Sequence, residues 1–193
     1  MILFEIFIKQ LQKSMKSSID RCDEMKLYID FDGVILDSIP VIFKILEKTD
    51  IDETDEKELT MFYENLDWND IIKKAPQIHH SVSCIKKIIA SKKFDVAILT
   101  HVNSQSEILE KVAYLKKELP GITIISVPKQ LHKTDMVNPK GAILIDDFTG
   151  NLVDWDQKGG ISIKFSLVYK DRGFPVIDRL DRILEMDMSQ ISE

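Results

Sequence analysis

The chain has 193 residues, of which 44% are hydrophobic and 30% are charged, as is ordinary for a globular protein. A chain of this length supports one sizeable core, or one core with a small additional module. The formal net charge of -6 argues against nonspecific nucleic-acid binding as the main role, because a phosphate backbone requires a basic surface.

The N-terminal extension, residues 1–24, begins with an apolar stretch that lacks the features of a signal peptide. Two interpretations of it remain open: an amphipathic helix, or a dispensable segment before a natural start at Met25. The two cysteines, Cys22 and Cys84, have no CxxC spacing, so we expect free thiols in the cytoplasm and not a disulfide scaffold or zinc site. No apolar run is long enough for stable membrane insertion. The sequence indicates no oligomeric state.

From Met25 onward, strand and helix patterns alternate, which is typical of a parallel sheet covered by helices. A capping box, Ser104 to Glu107, begins one helix, and Pro120-Gly121 ends it. A helix at 151–158 and a C-terminal amphipathic helix at 177–186 are also predicted. The predicted strands are 27–29, 94–100, 122–127, 142–145 and 161–165.

Residues 39–80 have a helical pattern with an acidic run and interrupt this alternation just after the first strand. An insertion at that point lies over the carboxyl ends of the strands, where ligands bind in open α/β folds. We therefore predict a core formed by residues 25–38 and 81–193, with residues 39–80 as a small helical cap.

The first strand runs into two acids and a glycine, Asp30, Asp32 and Gly33. Two carboxylates that leave a strand together can divide the work, because one can serve as nucleophile and metal ligand while the other moves a proton. Gly33 permits a sharp turn. Taken alone, the motif also fits a calcium-type loop or a plain surface turn.

Polar residues also follow the second strand and precede the fourth. The hydroxyl of Thr100 can donate to a phosphate oxygen, and His101 follows it directly as a further candidate phosphate-binding residue. Lys133 is the first candidate for a phosphate-binding lysine, and Lys129 is the second. Each of these residues also has an ordinary alternative role, as a strand residue or on a solvated loop.

Two adjacent acids, Asp146 and Asp147, follow a buried apolar strand. Placing both there without a cation is costly, and an oxygen-rich cluster of this kind suits Mg²⁺. A helix N-cap explains one of the two acids, but not both.

The segments 27–38, 98–100 and 144–147, together with Lys133, resemble the four motifs of the haloacid dehalogenase (HAD) superfamily. The resemblance implies a three-layer α/β/α Rossmann-like parallel sheet with a helical cap. It also implies a Mg²⁺-dependent phosphatase in which Asp30 forms an aspartyl-phosphate and Asp32 acts as acid and base. Thr100 and Lys133 would hold the phosphate. The implied metal ligands are Asp30, the backbone of Asp32, Asp147 and, as a further candidate, Asp146.

A looser similarity, over 146–160, is to the 5'-nucleotidase type C, or 5'(3')-deoxyribonucleotidase, group. That similarity implies a nucleoside monophosphate as substrate, with Phe62, Tyr63 and Trp68 of the cap as candidates for stacking on a base. The alternative is that these aromatic residues form the core of the cap. Sugar phosphates remain an alternative substrate class, and a phosphate mutase or a noncatalytic regulatory protein remains an alternative function.

Overall fold

A computed structural model describes residues 24–168 and 173–187 of the chain. Its centre is a parallel sheet with the strand order β3-β2-β1-β4-β5-β6. The five predicted strands are present within two residues of their expected ends, and a further strand, β6, extends the sheet at one edge. The strands are β1 (Met25–Ile29), β2 (Phe94–Val102), β3 (Thr123–Pro128), β4 (Ile143–Asp146), β5 (Ile161–Phe165) and β6 (Val176–Ile177).

Helices follow most of the strands, as the alternating pattern predicts. None of the helices in the described ranges is long and apolar enough to cross a membrane. The helices are α1 (Ile39–Leu46), α2 (Glu56–Glu64), α3 (Trp68–Lys74), α4 (Ser81–Ser91), α5 (Gln105–Glu118), α6 (Lys133–Met136) and α7 (Thr149–Gln157), with 3-10 turns at Ile78–His80 and Leu180–Glu185.

The sheet is covered on both faces because successive side chains of a strand point to opposite sides. Leu27 and Ile29 of β1 pack into the larger hydrophobic cluster, together with residues of α4 and α5. Tyr28 points to the other face and meets Trp155 of α7, with ring centroids 5.4 Å apart. Each fully buried aliphatic side chain contributes about 1.5–3 kcal/mol to stability. The predicted three-layer α/β/α architecture is therefore confirmed.

Helices α1 to α3 have a small hydrophobic cluster of their own, separate from the two clusters on the sheet. The part of the predicted cap that is helical thus covers residues 39–74, and α3 packs against α5 of the core. The division of the chain into core and cap stays a prediction. The predicted N-terminal extension lies outside the described residues, apart from Glu24.

The predicted C-terminal helix at 177–186 is wrong in its first part. Val176 and Ile177 are extended and pair with Lys164 and Phe165, and only Leu180–Glu185 is helical, as a 3-10 turn. The apolar spacing that suggested a helix is real, since Leu180 and Ile183 are buried.

The capping box at the start of α5 forms only in part. Ser104 Oγ accepts a hydrogen bond from the backbone N–H of Glu107 at 3.2 Å, as predicted. The side chain of Glu107 reaches one residue further than expected and accepts from the backbone N–H of Asn103 at 2.7 Å.

Candidate active site

Three neighbouring strands end side by side and bring the acidic motifs together. Ile29, the last residue of β1, lies opposite Ile98 on one side and Ile145 on the other. The backbone N–H of Asp30 donates to the carbonyl of Ile145 at 3.0 Å, which continues the pairing with β4 by one residue. Asp30 and Asp146 therefore leave the sheet next to each other.

Lys133, at the start of α6, is a buried cation between these two acids. Its Nζ atom donates to Asp146 Oδ2 at 2.6 Å and lies 2.9 Å from Asp30 Oδ1. Asp146 also accepts from the backbone N–H of Phe148 and the amide of Asn151, at 2.8 and 2.9 Å. Because both oxygens of Asp146 are engaged, its main role in this arrangement is to hold Lys133 and the turn into α7.

Asp147 lies beside the same cluster, in contact with the turn after β1. A Cβ atom at Gly33 would lie 2.2 Å from Asp147 Oδ2, so only glycine permits this approach. Gly33 also has a φ of 70°, which other residues adopt at a cost. On the other side, the ammonium group of Lys164 on β5 donates to the backbone carbonyl of Asp147.

The pKa values of two acids in the cluster are raised. Burial, with help from the negative charges of Asp146 and Asp32 and against the attraction of Lys133, raises the pKa of Asp30 to about 6. Burial, together with the charges of Asp30 and Asp146, raises the pKa of Asp147 to about 8. Lys133 and Lys164 therefore leave the cluster short of positive charge.

The donor set fits a hard cation. One oxygen from each of Asp30, Asp146 and Asp147 lies within 4.8 Å of the others. Asp30 Oδ1 is buried, and no donor is aligned to hydrogen-bond it. Free carboxylate oxygens at this spacing are the ligands that Mg²⁺ takes, usually one or two of them with several waters. Asp30 and Asp147 have the oxygens available, since Asp146 is already engaged.

Asp32 is oriented differently from the other acids. Ser38 Oγ donates to its Oδ1 at 2.6 Å, and Lys111 Nζ donates to its Oδ2 at 2.5 Å. Its side chain is 24% exposed, so it lies at the border between the buried cluster and solvent. Asp32 is not one of the three acids whose oxygens lie within 4.8 Å of one another.

Lys111 is a functional candidate that the sequence patterns did not identify. Its side chain is only 1% exposed, and it also pairs with Glu107 at 2.6 Å. Burial opposes the charge, but the attractions of Asp32 and Glu107 outweigh it and raise the pKa of Lys111. A signal was present in the sequence, because Glu107, Lys111 and Leu115 are spaced four apart and share one helix face.

The predicted phosphate-binding residues differ in how close they lie to the acidic cluster and in how far they are buried. The hydroxyl of Thr100 is buried at the end of β2 and receives a hydrogen bond from Lys111 at 3.3 Å. The ring of His101 donates through Nε2 to the carbonyl of Leu131 at 3.0 Å, and burial lowers its pKa. Lys133 reaches Asp30, whereas Lys129 is exposed and lines a cavity under the cap.

Two of the three cap aromatics pack inside the cap. Phe62 and Trp68 are 9% and 2% exposed and belong to its hydrophobic cluster, as expected if they form the core of the cap. Tyr63 is partly buried and lines a cavity of about 350 Å³ between α2 and the loops after β2 and β3. Asn103 and Lys129 form part of the opposite wall. The structure thus places one aromatic ring beside an open space.

Comparisons with known proteins give structural matches only, since neither a protein-family model nor a curated protein matches the chain. A HAD phosphatase from Thermococcus onnurineus superimposes with a TM-score of 0.57 at 13% identity, over 83% of this chain and 96% of that one. YfnB from Bacillus subtilis, in a magnesium-bound form, gives 0.55 at 11% identity, over 84% and 97%. A dehalogenase gives 0.55 at 13% identity, over 84% and 96%.

These matches show that the chain has a HAD-like α/β fold. Identities this low establish the fold and leave the chemistry to the site itself, because one fold hosts many activities. None of the three structures is described as a nucleotidase, so the looser similarity to the type C group stays a prediction.

Proposed function

We propose that the protein is a Mg²⁺-dependent phosphatase that hydrolyses a small phosphoric monoester through a phosphorylated Asp30. The observation that carries the proposal is the buried cluster in which Lys133 lies 2.9 Å from Asp30 beside Asp147. A buried carboxylate that is paired with one fixed ammonium group suits attack on an electron-poor phosphorus atom.

Asp30 and Asp32 divide the chemistry. The carboxylate of Asp30 attacks phosphorus, and the bond from phosphorus to the leaving oxygen breaks as that oxygen takes a proton from Asp32. Asp32 then takes a proton from water, which attacks the aspartyl-phosphate and releases phosphate and free Asp30. The partial exposure of Asp32 supports this role. A dehalogenase has no need for such a proton donor, so Asp32 favours the phosphatase.

Asp30 and Asp147 are the proposed carboxylate ligands of Mg²⁺, with the backbone of Asp32 as the third protein ligand inferred from the motif. An ion bound there would neutralise charge on the transferring phosphoryl oxygens. Lys133 supplies a second, fixed positive charge at the same place, and Thr100 supplies a hydroxyl donor. Asp146 holds Lys133 in position through its 2.6 Å hydrogen bond.

A nucleoside monophosphate is the proposed substrate class, and Tyr63 is the residue that supports it. Tyr63 lines a cavity of about 350 Å³, which is at the lower end of the size range of small-molecule sites. The residues that line it belong to α2 and to the loops after β2 and β3, and none of them is in the acidic cluster. The aromatic ring of Tyr63 offers a stacking surface, and Lys129 and Asn103 offer polar contacts. A sugar phosphate would use the polar wall without the ring, so it remains the second substrate class.

Phosphate release tests the proposal. The purified protein is assayed with Mg²⁺ against nucleoside monophosphates, sugar phosphates and an aryl phosphate, beside Asp30→Asn. We expect release that EDTA and the substitution each abolish, with nucleotides preferred over the other classes. Release that persists in Asp30→Asn contradicts the covalent mechanism. Release from the aryl phosphate alone contradicts the nucleotide assignment and keeps the mechanism.

The alternative is a noncatalytic protein of the same fold. It predicts no release from any substrate, although ligands would still bind under the cap. The retention of Asp30, Asp32 and Lys133 together argues against it, since a binding protein has no use for a nucleophile with a separate proton carrier.

A further inference from the structure

We propose that Lys111 is a positioning residue that holds the carboxyl group of Asp32 in place for proton transfer and ties that place to the cap. The inference rests on the proposed phosphatase activity for its consequences in catalysis. The contacts of Lys111 stand independently of it.

The surroundings of Lys111 are those of a residue fixed in one position. Its ammonium group donates to Asp32 Oδ2 at 2.5 Å and to the carbonyl of His101 at 3.0 Å, and it pairs with Glu107 at 2.6 Å. Removing an ammonium group from water is costly, and the protein recovers that cost only through well-placed partners. Here the partners are the carboxylates of Glu107 and of Asp32, the proposed proton carrier, and the pairing with Asp32 connects Lys111 to the chemistry.

Asp32 depends on this lysine for its orientation. Its two oxygens are each held by one donor, Ser38 from the turn after β1 and Lys111 from α5. Without Lys111, Oδ2 loses its donor, and a partly exposed carboxylate is free to change rotamer. A displacement of about 1 Å in a reacting group is enough to cost a large factor in rate.

The same ammonium group contacts the cap. It lies 4.4 Å from the centre of the Trp68 ring, at the start of α3, and 5.2 Å from that of Phe31. A cation over an aromatic face is attracted to it, most strongly when both are removed from water. Because Trp68 is 2% exposed and packed in the cap cluster, Lys111 is fixed from the cap side as well.

A change in leaving group separates positioning of Asp32 from a general loss of structure. Poor leaving groups, such as alkoxides, need the proton of the acid, whereas nitrophenolate leaves without it. We compare kcat/KM of Lys111→Met on an alkyl phosphate and on p-nitrophenyl phosphate. A positioned acid is worth about 10²–10⁴-fold, so the loss on the alkyl phosphate should exceed that on the aryl phosphate by at least about 10-fold.

Lys117→Met is the matched control, because Lys117 is an exposed lysine on the same helix. It should lower neither rate. In an Asp32→Asn background, Lys111→Met should leave the ratio of the two rates unchanged, because the group that it positions is no longer an acid. Equal losses on both phosphates, or the same change of ratio in the Asp32→Asn background, overturn the proposal.

Crystal structures of Lys111→Met and Lys117→Met give a readout that does not need activity. We expect the Asp32 carboxylate to move in Lys111→Met alone, and an unmoved carboxylate overturns the proposal. Absence of phosphate release by the wild-type protein would contradict the proposed function, while the crystal structures would still decide whether Lys111 positions Asp32. If Lys111→Met does not fold, Lys111→Arg takes its place in the same comparison of rates and structures. It keeps a positive charge between Asp32 and Glu107.

Discussion

Gly33 and Asp147 are in direct contact: a Cβ atom on Gly33 would lie 2.2 Å from Oδ2 of Asp147. The turn after the proposed nucleophile thus leaves room for a proposed metal ligand, Asp147, which directly follows β4. A glycine whose only evident role in the sequence is chain reversal also shapes the proposed metal site.

Gly33→Ala should therefore weaken Mg²⁺ binding beyond any loss of stability. Gly141→Ala is the matched control, because Gly141 has the same φ of 70° and a Cβ atom there would meet nothing within 4 Å. Both variants should lose about 1–2 kcal/mol for an alanine at positive φ. Only Gly33→Ala should also reduce the Mg²⁺ affinity in a calorimetric titration. Equal affinities in the two variants would show that the contact with Asp147 has no part in metal binding.

The raised pKa of Asp147 predicts an unusual dependence of stability on pH. The pKa of Asp147 is about 8 in the folded protein and about 4 in the unfolded chain. Between about pH 4 and about pH 8, the folded protein therefore binds one proton at Asp147 that the unfolded chain has released. Linkage then requires the free energy of unfolding contributed by this group to fall as pH rises from about 4 to 8. Above that window the contribution of the protonated form is lost.

The measurement is thermal unfolding in EDTA from pH 5 to 8, for the wild type and Asp147→Asn. As pH rises, the free energy of unfolding of the wild type should fall relative to that of Asp147→Asn, because the amide carries no charge. Mg²⁺ should reduce this shift in the wild type by stabilising the carboxylate. A difference that stays constant with pH would mean that Asp147 has an ordinary pKa.

Lys133 and Lys129 should differ sharply as phosphate-binding candidates. Lys133→Met removes the ammonium group that lies 2.9 Å from Asp30, whereas Lys129 is exposed. We expect kcat to fall by about 10²–10³-fold in Lys133→Met, as for the loss of a preorganised charge. Lys129→Met should raise KM and leave kcat unchanged. Near-normal kcat in Lys133→Met, with folding verified by circular dichroism, would contradict the assignment.

Two of the cap aromatics, Tyr63 and Trp68, should separate into a substrate contact and a packing residue. Tyr63→Ala should raise KM for nucleoside monophosphates more than for a minimal aryl phosphate, because it removes the ring that lines the cavity. Met61→Ala, which changes an exposed residue of the same helix, is its control. Trp68→Ala should instead cost about 3–5 kcal/mol of stability, as for other buried aromatic residues. Equal KM effects of Tyr63→Ala on both substrates would remove the support for base stacking.

The fold was largely readable from the sequence because its buried strands are short apolar runs that end in polar residues. Ile143 to Asp146 is an example, and its length and ends were predicted within a residue. Strand β6 was missed because two residues, Val176 and Ile177, carry no periodicity. Their pairing with Lys164 and Phe165 of β5 is not visible in the local sequence pattern.

The acids of the candidate site could be found because they directly follow strands, and Lys133 was found with them, but Lys111, the partner of Asp32, was not. Lys111 lies 79 residues from Asp32 along the chain. On the same helix the apolar residue Leu109 is 61% exposed, whereas the charged residue Lys111 is buried. Helical periodicity alone cannot show that a charged residue faces inward, because the compensating carboxylate comes from another element.

The central claim is that Asp30 carries the phosphoryl group, and chemical trapping tests it most directly. The protein is mixed with substrate and Mg²⁺, quenched during turnover, and treated with borohydride, which reduces an acyl phosphate on aspartate to homoserine. Peptide mapping by mass spectrometry then locates the change. The account predicts homoserine at position 30 when substrate is present and unchanged aspartate there when it is left out. Reduction at another residue, or turnover with an unmodified Asp30 under conditions that trap a control aspartyl-phosphate, would contradict it.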